Sequence, residues 1–147
     1  MSENRHIRRA SRAARRPSLV TMTEARQRTG RAAEEIVASR LHAARWEIVE
    51  RNARTRYGEL DIVALDGATL VFLEVKAGRE GAGFGPERPV HSIGPRKQRR
   101  IRRLATAWLA ERRGACPRYS QIRFDAVGVS FDRRGGIADI EHIENAF

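Results

Sequence analysis

The order of apolar patterns along the chain predicts an α+β fold: a mixed sheet flanked by helices, with the core order αβββαβ and one short strand behind it. Three observations carry this. A stripe at helical spacing precedes three strand-length apolar runs, and a second stripe separates those runs from a fourth. The chain has 147 residues, 41% of them hydrophobic, which supplies one core and leaves little for a second. The expected organisation is a single domain over residues 23–147 behind an arm over residues 1–22.

The arm has no period and few large apolar side chains, with arginine, serine and alanine throughout, and is expected to be disordered. An organellar transit peptide also fits its composition, and Met22 is an alternative start. Thr23 can cap a first helix, in which Ala33, Val37, Leu41 and Ala44 recur as one stripe with Ile36 on its flank. That helix should end near Ala44. Strands are expected over Trp46–Arg54, Glu59–Leu65 and Thr69–Ala77, with Tyr57-Gly58 dividing the first two and Asp66-Gly67 turning the hairpin between the second and third. A Gly/Pro-rich loop runs from Gly78 to Pro95. Pro95 then opens a helix to about Arg113, which Gly114 and Pro117 stop. Gln121–Ser130 reads as another strand and Ile137–Ile143 as a short last one.

Charge narrows the function classes. The net charge of +11 points to a polyanionic partner. Most of it lies in residues 1–31, which hold nine arginines and two acids, so the remainder is only mildly basic. Of the 29 basic residues only Lys76 and Lys97 are lysines. No apolar run approaches the roughly 18 residues of a membrane span, and no apolar core follows the basic N-terminus as a secretory signal requires. The single Cys116 excludes an internal disulfide and a cysteine-based zinc ribbon. A cytoplasmic protein without a membrane partner is expected.

The second and third strands carry the chemistry, as Gly58-Glu59-Leu60-Asp61-Ile62-Val63 and Phe72-Leu73-Glu74-Val75-Lys76. Both are apolar on both faces, with Leu60, Ile62, Val71, Leu73 and Val75 on one and Val63, Leu65, Leu70 and Phe72 on the other, as in strands buried within a sheet. Charged groups there need partners. A two-residue loop would pair Leu65 with Ala68; a four-residue loop would pair Leu65 with Leu70 and set Asp61 opposite Glu74. Either even loop brings Asp61, Glu74 and Lys76 to one face, and an odd loop scatters them. An even loop is expected. Two carboxylates and an ammonium make a hard, oxygen-rich site that suits Mg²⁺ or Mn²⁺, with Lys76 placed to orient a water or stabilise charge on phosphorus. The same residues also read as a structural ion pair at a sheet edge.

This arrangement of Asp61 with Glu74-Val75-Lys76 resembles the PD-(D/E)XK nuclease superfamily. More closely, the chain resembles the YraN-type family of predicted endonucleases, which is related to archaeal Holliday-junction resolvases. The resemblance rests on Gly30-Arg31-Ala32-Ala33-Glu34, the two strand segments above, Pro95-Arg96-Lys97-Gln98, Arg123-Phe124-Asp125-Ala126-Val127 and the closing Ala146-Phe147. It departs in having Leu60 for the commoner Ile and no proline before Asp61. The resemblance implies an αβββαβ nuclease core and a DNA phosphodiesterase, with branched DNA as substrate. Asp61 and Glu74 become metal ligands, the Val75 backbone carbonyl a further one, and Lys76 the catalytic lysine. Glu34 matches the acidic residue that related nucleases place on the first helix, as a catalytic residue and metal ligand. Helix arithmetic agrees that it can face the sheet: Glu34 lies about 60° from Val37, whereas Glu35 lies about 160° away in solvent.

In the second helix Ile101, Leu104, Ala105 and Trp108 form the apolar stripe, and Lys97 continues it at one end with Gln98 beside it. Lys97 and Gln98 either reach over the sheet end toward the carboxylates or a phosphate, or Lys97 snorkels to water. Arg96, Arg99, Arg100 and Arg103 belong to a run of six basic residues with no acid and read as a phosphate-tracking surface for nucleic acid. Cutting two strands would take a homodimer. Gly81-Ala82-Gly83-Phe84-Gly85 reads as a mobile flap and not as a phosphate loop, because no helix follows it. Asp125 reads as a structural pairing residue, Tyr57, Trp46 and Phe84 as base-stacking candidates with Trp46 also suited to the core, and the four histidines show no metal or triad spacing.

Overall fold

Eight elements make up the structure, a computed structural model that describes residues 19–81 and 88–147. They are α1 (Leu19–Ala43), β1 (Glu47–Thr55), β2 (Gly58–Asp66), β3 (Thr69–Arg79), a 3₁₀ turn over Pro89–Ser92, α2 (Pro95–Glu111), β4 (Gln121–Phe131) and β5 (Ile137–Ile143). The strands form one mixed sheet in chain order. β1–β2, β2–β3 and β4–β5 pair antiparallel, and β3–β4 pair parallel with α2 as their crossover.

The first helix runs further than the sequence suggests. Thr23 does not cap it: the Thr23 hydroxyl lies inside the helix and donates to the Leu19 carbonyl at 3.0 Å. The residues from Leu19 to Arg28 are exposed, so that stretch has no apolar face to betray it. The expected arm over residues 1–22 therefore overlaps helix at 19–22, and its residues 1–18 lie outside the described residues. At the other end Arg45 takes a positive φ of 64°, and the Arg45 and Trp46 amides donate back to His42 and Leu41. That double bond pattern is a Schellman stop, here without its usual glycine.

Two apolar layers sandwich the sheet. On one face Ala33, Val37, Ala38 and Leu41 of α1 pack on Ile62, Ala64, Val71, Leu73, Val127 and Val129. On the other, Ile101, Leu104, Ala105 and Trp108 of α2 pack with Leu60, Val63, Leu70 and Phe72, and Val90 and Ile93 extend that layer. Burying β3 on both faces is what its unbroken apolar run requires. The Trp108 and Phe72 rings meet edge to face with centroids 5.7 Å apart, and the Trp108 indole N–H donates to Glu50 at 2.8 Å.

The β2–β3 hairpin has the second of the two even registers, with Leu65 opposite Leu70. Asp66 and Thr69 close the ladder around Gly67, whose φ of +59° supplies the left-handed residue of a tight turn. One expectation fails within β2. Leu60 and Ile62 should share a face, yet Leu60 packs in the α2 layer and Ile62 in the α1 layer. Opposite this break Asn52 of β1 has a positive φ of 49°, while Arg51 stays opposite Ile62 and Ala53 opposite Leu60. The expected loop over Gly78–Pro95 is shortened by β3, which extends to Arg79, and by the 3₁₀ turn. Most of the glycine-rich flap, at residues 82–87, lies outside the described residues. No helix among the described residues is long and apolar enough to cross a membrane.

Candidate functional site

Asp61 sits at the break in β2. Regular β2–β3 pairing ends at Ile62 opposite Leu73. Two residues further along β3, the Val75 amide donates to Asp61 Oδ2 at 2.8 Å. A side-chain carboxylate thus occupies the place of a ladder carbonyl and holds the parting strands. Burial, and next the charge of Glu74, push the Asp61 carboxyl up to about 7, with Glu34 adding to the rise.

Glu74 is buried at 4% exposure, where an unpaired carboxylate would be costly. Its Oε1 accepts from Lys76 at 2.9 Å, on the same strand face, and from Lys97 at 2.8 Å, from the first turn of α2. The only two lysines of the chain therefore converge on one oxygen atom. Arginine, with its wide planar fork, would not place two compact ammonium groups there. Lys97 thus takes the first of its two expected readings, reaching the carboxylates. Gln98 does not: its amide donates to the Ile93 carbonyl at 3.1 Å and ties α2 to the 3₁₀ turn.

Glu34 faces the sheet as the helix arithmetic requires, and Glu35 points out to Arg51 at 2.8 Å. With its amide nitrogen turned to the acids, Asn52 donates at 3.0 Å to both Glu34 Oε2 and Glu59 Oε1. Burial raises the Glu34 pKa, the Asn52 bond lowers it and nearby Glu59 raises it again. The expected gathering of Asp61, Glu74 and Glu34 around one ion does not form. Among the described residues no group of three or more Asp, Glu, His or Cys side chains is placed to hold a metal. The pair Asp61–Glu74 fits a hard cation by its chemistry, since a cation would offset the burial and the Glu74 charge that together raise Asp61. The sequence reading missed Asn52; its signal was an asparagine, the non-glycine type most at ease at positive φ, inside a strand.

A second polar cluster lies on β4. Asp125, fully buried, accepts two bonds from Arg123 at 2.9 and 3.0 Å, one from the Asn145 amide at 3.0 Å, and contacts His142 Nε2 at 2.8 Å. Burial alone would raise its pKa; these bonds outweigh it and hold the carboxyl below its ordinary value. Arg123 also reaches Asp66 at 3.1 Å, so the cluster pins β5 and the β2–β3 turn to β4. It is the structural pairing that the sequence suggested for Asp125.

Residues 33–129 match the model of a family described as uncharacterised protein family UPF0102, a span that includes every site residue named above from Glu34 to Asp125. The chain belongs to UPF0102. A UPF0102 protein of Acidothermus cellulolyticus is 44% identical over 132 residues, covering 84% of this chain and 96% of the relative. One of Streptomyces griseus is 47% identical over 111 residues, covering 76% and 89%, and one of Pelotomaculum thermopropionicum is 43% identical over 126 residues, covering 86% and 100%. These UPF0102 relatives share nearly their whole length with the chain.

Proposed function

We propose that this UPF0102 protein is a metal-dependent endonuclease of the PD-(D/E)XK type that hydrolyses DNA phosphodiesters. One observation carries the reading: Asp61, Glu74 and the two lysines of the chain meet where β2 and β3 part. The element order α1-β1-β2-β3-α2-β4 also supports it. Asp61 and Glu74, with the Val75 carbonyl, would hold Mg²⁺ or Mn²⁺. Bound there, the ion would polarise a phosphodiester and lower the pKa of a water. Lys76 would leave Glu74 to steady the developing charge on the phosphate, and Lys97 would retain Glu74 in place. Glu34, held by Asn52, would act on the water from the α1 side. Arg96, Arg99, Arg100 and Arg103 would contact the backbone, and branched DNA as substrate rests on family analogy. Cutting both strands would require two copies of the chain.

The test is incubation of the purified protein with four-way junction, flap and supercoiled DNA in Mg²⁺, Mn²⁺ or EDTA. Cleavage that needs metal and falls by about 10²-fold or more in Lys76→Ala and Asp61→Asn is the expected result. A second reading is favoured by Glu74 itself, whose charge two lysines already balance without a metal. On that reading the protein binds nucleic acid without turnover. Salt-sensitive binding with no cutting under any metal, and no difference between wild type and variants, would establish it.

A further inference from the structure

Tyr57 stands at the two-residue turn between β1 and β2, where Thr55 pairs with Gly58, and it is 43% exposed. Two guanidinium groups lie on its ring and a third reaches the residue beside it. Arg103 of α2 lies 4.1 Å from the ring centroid and Arg56 of the turn 4.8 Å. Arg100 reaches the neighbouring residue: a Cβ on Gly58 would come within 3.1 Å of its terminal nitrogen, and Gly58 has a φ of +136°. The site therefore needs glycine beside the tyrosine. None of Arg56, Arg100 and Arg103 makes an ion pair with an acid among the described residues, whereas Arg51, Arg54, Arg112 and Arg123 all do.

On α2, Arg96, Arg100 and Arg103 recur at i, i+4 and i+7 and so share one flank, the flank toward this turn. Arg102 leaves by the other flank and lies 4.9 Å from the Phe124 ring centroid. At one end of the flank Lys97 binds Glu74. At the other stands Tyr57, four residues before Asp61 in the chain and so at most about 14 Å from it. The arginines without an ion pair thus lie between Lys97, which Glu74 holds, and an exposed aromatic ring, with the Glu111 carboxylate accepting from the Arg56 backbone amide at 3.3 Å.

We propose that Tyr57, Arg56, Arg100 and Arg103 form a docking strip for an unpaired nucleic-acid segment next to the scissile position. The guanidinium groups take successive phosphates and the tyrosine ring stacks on a base. A duplex base offers its face only to its neighbours, so the ring selects substrates with a single-stranded stretch. The strip deepens the nucleic-acid reading of the same site and rests on it.

The test is binding by the full chain in EDTA, read by fluorescence anisotropy, to blunt duplex, to duplex with a single-stranded extension, and to single-stranded oligonucleotide. Tyr57→Ala should weaken the two substrates with unpaired bases about 5- to 100-fold and leave blunt duplex unchanged, while Tyr57→Phe keeps wild-type binding. Arg100→Ala and Arg103→Ala should weaken all three and each lower the salt slope by about one. Thermal melts of each variant verify folding. Equal loss on blunt and extended duplex in Tyr57→Ala, no loss on either, or no salt-sensitive binding by wild type would overturn the strip. Because these measurements use no metal, absent cleavage with the expected binding pattern would sink the hydrolysis and leave the strip standing.

Discussion

Asp61 places a functional demand on a position where stability would prefer another residue. Between about pH 4 and pH 7 the folded chain holds a proton on Asp61 that the unfolded chain has released, because the folded pKa is raised to about 7. Its contribution to stability is therefore present at acid pH and is lost as pH rises through that window. Asp61→Asn keeps an acceptor for the Val75 amide and removes the buried charge. At pH 8 in EDTA this variant should be more stable than wild type, by on the order of 1–3 kcal/mol, in denaturant titrations. Near pH 4 the two should melt alike. A variant that is less stable at pH 8 would mean that Asp61 is not repelled by its neighbours. Lys97 gives the opposite case: Lys97→Met removes one of two partners of a 4%-exposed carboxylate and should destabilise the fold by about 1–3 kcal/mol.

At the scale of elements, β4 carries the cluster that ties β5 and the β2–β3 turn into the sheet. Asp125→Ala would leave Arg123 and His142 facing a cavity and should cost about 3–5 kcal/mol in urea unfolding. The pH sign is the reverse of that for Asp61. The Asp125 pKa is lowered, so its stabilisation is complete above its ordinary range near pH 4 and disappears as pH falls through the lower folded value. How far such pairings were legible in the sequence depends on the distance over which they are encoded. That the β2–β3 loop is even followed from one short turn and the apolar alternation, though not which of the two even registers forms, and α2 followed from a stripe that starts at a proline. Those are local signals. The partnership of Asp125 with His142 crosses 17 residues and an antiparallel strand pair, so histidine spacing alone said nothing of it. The reversal between Leu60 and Ile62 was hidden because it faces a positive-φ asparagine, Asn52, on another strand. The first turns of α1 were illegible because they bury nothing.

For the molecule as a whole, charge divides into a site and a surplus. The acids Glu50, Glu74 and Asp125 each hold a basic partner, whereas the Asp61 carboxylate is held by the Val75 amide. The surplus lies on α2 and on the N-terminal segment, where residues 1–18 contain six arginines and one glutamate. Removing residues 1–18 should weaken binding of any DNA at low salt and reduce the salt slope by up to about five. The preference for unpaired over paired substrate should survive, since Tyr57 and its arginines remain. An unchanged slope would show that those arginines meet no phosphate.

The amide of Val75 has a consequence of its own. Along the paired stretches of the sheet, backbone donors meet carbonyls that cannot change charge. This one is satisfied by a carboxylate that gains or loses a proton and, on the proposed function, would share its oxygens with an ion. Its nitrogen and proton resonances should therefore move with pH near 7 and with added Mg²⁺ while those of Leu73 stay still. A single backbone signal, read on the intact protein without substrate, would report whether a cation enters the mouth of the hairpin.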